Sequence, residues 1–192
     1  MLKQIKPAII MLLVWTVITG MLYPLIVTGL SQLFFPKQAN GSLMVDANAN
    51  IIGSALIGQA FNDPSYFWGR PSATSPYPYN AAASSGSNLG PTNPVLAETV
   101  QTRIQRLKAA DPENQQPIPV DLITASASGL DPHISPAAAN YQISRVAKAR
   151  NMSRVKLRAL VETHTEPRQW LILGEPRVNV LSLNLALDGV LR

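Results

Sequence analysis

The feature that most constrains this chain lies at its amino end. Lys6 and Lys37 bracket about thirty residues without a formal charge, more than the ~20 a helix needs to cross a ~30 Å hydrocarbon layer. Residues 7–35 therefore read as a transmembrane helix. Its apolar residues, among them Ile9, Leu12, Leu13, Val17, Leu22, Leu25 and Leu30, fall on all faces, which suits lipid rather than a one-sided soluble core. A cleaved secretory signal is the competing interpretation, but the apolar part of such a signal runs ~7–15 residues to a small-residue site. This stretch is longer and ends Leu33-Phe34-Phe35-Pro36-Lys37. Lys3, Lys6 and the α-amino group precede the span and only Lys37 comes closely after it, so charge asymmetry predicts residues 1–6 in the cytoplasm and residues 36–192 outside it. Gly20, Tyr23-Pro24 and Gly29 permit a bend and the close approach of a membrane partner.

Beyond the span lie about 155 residues, enough for one domain with a real core. The formal charge is +5, but three of the sixteen Lys and Arg residues flank the span, leaving thirteen against eleven Asp and Glu. That balance does not suit a nucleic-acid surface. The chain has no cysteine, which excludes disulfides, thiol catalysis and thiolate metal ligands. With His133 and His164 its only histidines, a histidine-rich metal site is excluded as well, and both are expected at surface or capping positions.

Local patterns predict an α+β fold: one N-terminal transmembrane helix followed by a single mixed α+β extracytoplasmic domain. Residues 42–45 and 51–58 flank a polar turn and read as a β-hairpin. Phe61, Tyr66, Phe67 and Trp68 form an aromatic cluster of the kind that packs a loop onto a core. Residues 70–94 are rich in proline, serine and glycine with no helical or strand period, which predicts a long functional loop. Asn93 as N-cap with Pro94 at the first helical position opens a helix through about Lys108. Residues 120–124 read as a short strand and 125–131 as a small-residue turn. Ser135-Pro136 starts a helix to about Arg150, Asn151 supplies a left-handed exit, and Ser153 caps a further helix to about His164. Residues 170–173 read as a strand. The tail from 178 to 187 fits a strand by its alternating leucines, yet Asn179 can cap a helix, and the helix is the preferred expectation.

Three constellations could carry chemistry. The helices around Asn151 hold Arg145, Lys148, Arg150, Arg154, Lys156 and Arg158 with no acid between them, resembling a helix-turn-helix that would read DNA only if the topology were inverted. Ser153-Arg-Val-Lys156 matches S-x-x-K, the nucleophile motif of envelope acyl-enzymes, but the chain has no later K-T-G and Ser153 serves as a helix cap. No spacing nominates a catalytic triad. The third is Ser84-Ser85-Gly86-Ser87-Asn88, where small residues leave backbone N–H groups and hydroxyls able to surround an anion, although the tract lacks a P-loop lysine after it.

Several blocks together also carry a resemblance. Gly53-Ser54-Ala55-Leu56-Ile57-Gly58-Gln59, Gly69-Arg70-Pro71-Ser72-Ala73, Ser87-Asn88-Leu89, Thr124 through Asp131, Arg145 through Asn151 and Asn184-Leu185-Ala186-Leu187-Asp188 occur in an order that resembles the KdpC family, the C subunits of bacterial Kdp-type potassium-transporting P-type ATPases. The resemblance implies a non-catalytic subunit of an inner-membrane pump. Its implied partners are a channel-like A subunit, an ATP-hydrolysing B subunit and a small F subunit. It implies a catalytic chaperone that raises the B subunit's ATP affinity, with no tightly bound cofactor and ATP contacted only together with that subunit. The implied nucleotide contact falls on Ser84, Ser85, Gly86, Ser87 and Asn88, with Ser85 standing where the family has a second glycine. Since ATP is cytoplasmic and the charge asymmetry places this tract outside, the residue pattern favours a partner-docking role. The expected docking residues are Arg70, Tyr77, Tyr79, Asn80 and Asn88, because arginine and tyrosine dominate protein interfaces.

Overall fold

A computed structural model describes residues 2–190 of the chain, which divides into two compact units, Met1–Leu43 and Met44–Arg192. The first is dominated by one helix, Ile5–Phe34, long and apolar enough to cross a membrane and with none of its apolar window buried. It consists of α1 (Ile5–Val17), a π-helical turn (Ile18–Leu22) and α2 (Tyr23–Phe34). The π turn has a local cause. Pro24 lacks an N–H and its ring would press on the carbonyl four residues back, so the helix widens by one residue there, and Tyr23 N–H donates to Ile18 O instead. Phe35 ends the helix, Pro36 opens the short α3 (Pro36–Ala39), and Asn40 donates back to Pro36 O at 2.7 Å.

A hairpin of β1 (Leu43–Val45) and β2 (Ile51–Ser54) follows, all but Leu43 in the second unit. Asp46 shapes its turn by accepting from the N–H groups of Asn48 and Asn50, both at 2.8 Å. The later elements are α4 (Pro94–Ala110), β3 (His133–Ile134), α5 (Pro136–Arg150), α6 (Arg154–Thr163), β4 (Thr165–Glu166), β5 (Arg177–Asn179) and α7 (Val180–Leu187). β5 is the middle strand of an antiparallel sheet ordered β3-β5-β4, with Ile134 and Thr165 both opposite Val178.

α5 is the axis of this unit. Ala138, Ala139, Tyr141, Gln142, Ile143, Arg145, Val146 and Ala147 are all buried on it, against Leu157 and Val161 of α6, Val178 of β5, Leu183 of α7 and Phe67. Small alanines let neighbours approach closely, and the helix is held at both ends. Ser135 accepts from Ala138 N–H at 3.0 Å, and Asn151 takes the left-handed exit at φ 53°. Ser153 caps α6 and Asn93 caps α4 as their positions require.

Four expectations need correction. Residues 120–124 form no strand: Val120–Leu122 is a 3-10 turn, because Asp121 spends its carboxylate on Ser135 N–H and Oγ at the start of α5 and Leu122 turns into the core. Residues 170–173 are an exposed turn rather than a strand, closed by a single bridge between Gln169 and Leu173. His133 is neither a cap nor a free surface residue but lies in β3, half-buried, with its ring nitrogen 3.5 Å from Asp131. The second hairpin strand also stops at Ser54, short of residue 58. The tail holds both of its alternatives in succession, since β5 ends at Asn179, whose side chain caps α7 by accepting from Ser182 N–H.

Candidate functional site

The long loop is positioned by two amide side chains that behave as a missing strand. Asn184 of α7 accepts from Phe67 N–H and donates to Phe67 O, both at 2.9 Å. Gln142 of α5 accepts from Trp68 N–H at 2.8 Å and donates to Trp68 O at 3.1 Å. Arg145 completes the clamp by donating to the carbonyls of Pro64 and Tyr66 and to Gln142 Oε1. Burial draws its guanidinium pKa down to about 10, against the pull of Asp111 in the other direction. Arg150 donates to Ser65 O at 2.7 Å, pairs with Asp188 at 2.8 Å and stands over the Tyr66 ring. Two of the six basic residues that suggested a DNA-reading face are thus internal fasteners. Ser153 Oγ is likewise engaged as the cap of Lys156 N–H.

From this clamp the chain enters residues 70–94, which are ordered by hydrogen bonds rather than by regular structure. Ser72 Oγ accepts from Tyr79 N–H at 2.9 Å and donates to Gly129 O at 2.7 Å. Thr74 Oγ1 donates to Tyr77 O and accepts from Asn80 N–H. Asn80 caps the 3-10 turn Ala81–Ala83 by accepting from Ala82 N–H, and its amide donates to Ser75 O. Tyr79 threads between Gly58 and Gly69, where a Cβ on either glycine would meet its ring or hydroxyl, and its hydroxyl donates to Arg70 O. That burial, with Asp131 nearby, pushes the Tyr79 phenol up to about 12.

A second small-residue segment, 124–131, runs against the first. Ser85 N–H and Ser84 Oγ both donate to Ser128 O, at 3.0 and 2.9 Å. Ser126 N–H donates to Pro71 O, and Gly129 N–H to Ser126 Oγ. Gly58 N–H donates to Leu130 O at 2.9 Å. Gly86 lies so close to Ala127 that a Cβ would stand 2.8 Å from its carbonyl oxygen. At the edge of this double loop Arg70 donates to Thr124 O and pairs with Asp131 at 3.3 Å. Desolvation opposes charge on Asp131, but bonds from His133 and Arg70 outweigh it and hold the carboxyl below its ordinary range.

The sequence-predicted residues fall into two groups. Tyr79 and Asn80 are framework, with their polar atoms spent inside the loop, and Arg70 is half-buried in its ion pair. Tyr77, Ser84, Ser85, Ser87 and Asn88 are exposed on the outer face, with Gly86 half-buried among them. A cleft of about 220 Å³ opens beside the framework, lined by Trp68, Arg70, Tyr79, Arg103 and Arg106. Arg106 stands 4.6 Å from the Trp68 ring centre and donates to Asn62, while desolvation lowers the pKa of Arg103, which donates to Ile123 O. The fit of the serine tract to a nucleotide is poor. Ser84 Oγ and Ser85 N–H are committed to Ser128, Ser85 Oγ donates to Gly86 O, and the tract carries no basic residue of its own.

Residues 5–189 match the family described as KdpC: K+-transporting ATPase, c chain. The chain belongs to the KdpC family. It is 62% identical over 190 residues to a potassium-transporting ATPase KdpC subunit of Methylococcus capsulatus, covering 99% of this chain and all of that protein. It is 60% identical over 189 residues to the subunit of Sorangium cellulosum, covering 98% and 99%, and 62% identical over 185 residues to that of Herpetosiphon aurantiacus, covering 96% and 95%. Membership joins the helix Ile5–Phe34 and the α+β unit in one family pattern. The amide clamp of Gln142 and Asn184 escaped the sequence reading. Its one signal was a lone amide set among the apolar positions of each helix.

Proposed function

We propose that this chain is a non-catalytic subunit of an ATP-driven potassium uptake pump. Helix Ile5–Phe34 anchors it in a bacterial inner membrane with the amino end in the cytoplasm and the α+β unit outside. Its partners are the channel-like A subunit, the ATP-hydrolysing B subunit and the small F subunit, and nucleic acid is not among them. The observation that carries this reading is the family match from residue 5 to residue 189, which spans anchor and domain together. The braced loop gives it a physical form. A segment whose framework is internally bonded presents Tyr77 and Asn88 at low entropic cost, which is how a preorganised surface gains affinity. The chain braces the complex through this face near the A subunit, and the rise in the B subunit's ATP affinity follows from assembly. ATP is then a ligand of the B subunit, and the serine tract, lying outside the cytoplasm, does not meet it.

Tyr77→Ala combined with Asn88→Gly tests this without straining the framework, because Asn88 holds a φ of 52° that glycine adopts freely. Loss of co-purification with the other subunits, or a raised potassium requirement for ATP hydrolysis, is the expected result. Normal assembly with a raised ATP requirement would move the role to nucleotide contact, and wild-type behaviour in both assays would leave the outer face without a function. Potassium-stimulated hydrolysis by the purified chain alone would overturn the non-catalytic reading.

A further inference from the structure

The hairpin of β4 and β5 ends in the most exposed apolar cluster of the second unit. Trp170, Leu171, Ile172 and Leu173 are 84%, 82%, 73% and 48% exposed, four large apolar side chains in succession. Their stem is charged. Arg177 pairs with Glu166 at 2.8 Å and Arg168 with Glu175 at 2.7 Å, so the projection is polar and neutral along its sides and apolar at its end. Trp170 and Leu171 hold φ of 50° and 68°, a region that costs bulky side chains energy and that persists where it serves a purpose.

We propose that this tip is a membrane-interface wedge that dips into the surface of a lipid bilayer. Three observations favour lipid over a protein groove. Aliphatic residues with a tryptophan are the composition that settles at a bilayer interface, where the indole meets the headgroups. Three of the four tip N–H groups are met inside the turn, which lowers the cost of meeting lipid: Leu171 N–H donates to Arg168 O, and the N–H groups of Ile172 and Leu173 to Gln169 O, while Gln169 N–H closes the turn on Leu173 O. The third is the tether. Residues 35–43 connect Phe34 to the α+β unit, and at ~3.5 Å per extended residue they reach at most about 30 Å, so the domain always works within reach of the bilayer. The proposal rests on the reading of Ile5–Phe34 as an anchor, but not on which side of the membrane the domain occupies.

The test uses the full chain, which contains three tryptophans: Trp15 in the long helix, Trp68 in the core and Trp170 at the tip. Chains carrying Trp15→Phe, Trp170→Phe or both are reconstituted into vesicles of phosphatidylcholine and phosphatidylglycerol in equal parts, with and without brominated acyl chains. The double variant supplies the Trp68 background. The expected result is that Trp170 emission is shifted to the blue, is quenched by the brominated chains and resists aqueous iodide, and that Leu171→Glu abolishes all three effects. Trp170 quenched by iodide and untouched by bromine, while Trp15 is quenched by bromine, would overturn the wedge and leave the anchor standing. Trp15 untouched by bromine would instead sink the anchor. Trp170 shielded from both quenchers only when the other pump subunits are present would overturn the lipid assignment in favour of a protein pocket.

Discussion

Tyr79 shows how one side chain holds the candidate site together. Its ring fills the gap left by Gly58 and Gly69, and its hydroxyl donates to Arg70 O, so the loop closes on the phenol. Tyr79→Phe keeps the packing and leaves that half-buried carbonyl without its donor, which should cost about 1 kcal/mol at neutral pH. The pH dependence supplies a second mark. Burial first, then the Asp131 charge, raises the folded phenol to about 12, against ~10 in the unfolded chain. The folded state thus favours the neutral phenol. Its contribution is fully present below the unfolded value and is lost as pH rises through the folded one. The stability gap between wild type and Tyr79→Phe, measured by urea unfolding in detergent, should therefore shrink across that alkaline window. Tyr141 and Arg145 also have shifted pKa values, but they are common to both chains and cancel in the difference. A gap independent of pH would mean that the phenol is not desolvated as its packing requires.

At the scale of elements, the two facing segments 81–90 and 124–131 act as one unit with its contact point at Gly129. That residue sits at φ 68°, and a Cβ there would stand 2.7 Å from Ser85 O. Gly129→Ala meets both the left-handed penalty of roughly 1–2 kcal/mol and a backbone collision, so it should destabilise the domain by about 2 kcal/mol or more and expose residues 81–90 to protease. Gly90→Ala, which meets nothing within 4 Å, should stay within about 0.5 kcal/mol. This pairing also explains what the sequence could and could not reveal. The helices were legible because their ends are spelled locally: Asn93-Pro94, Ser135-Pro136, Asn151 and Ser153 act within a turn of where they stand. The hairpin of β1 and β2 was legible too, from its polar turn, but the strands of the second sheet were not, because β3, β4 and β5 are two or three residues long and exist only where their partners meet. Val120–Leu122 had the strand residue types but no neighbour to pair with, and Asp121 drew it to α5 instead. The loop itself was legible as a loop. Its division into framework and face was not, because Phe67 meets Asn184 across 117 positions and Ser84 meets Ser128 across 44, distances over which a single sequence carries no pairing signal.

The whole molecule poses a question of sidedness, on which the roles of its parts depend. The uncharged run of helix Ile5–Phe34 is preceded by Lys3 and Lys6, the latter in its first turn, and followed by Lys37, and positive residues are retained on the cytoplasmic side. If that rule governs here, the outer face of Tyr77, Ser87 and Asn88 never meets cytoplasmic ATP, and the effect on the pump is transmitted through contact with the membrane subunits. The chain is suited to a direct test because it contains no cysteine. A single thiol at Gln115, an exposed position in the connector after α4, should react with an impermeant maleimide in intact spheroplasts, whereas a thiol at Lys3 should react only after lysis. The reverse pattern would place the α+β unit in the cytoplasm. It would make direct nucleotide contact by Ser87 and Asn88 the simpler account of any chaperone effect, and it would bring the exposed cations Arg154, Lys156 and Arg158 of α6 back into reach of nucleic acid.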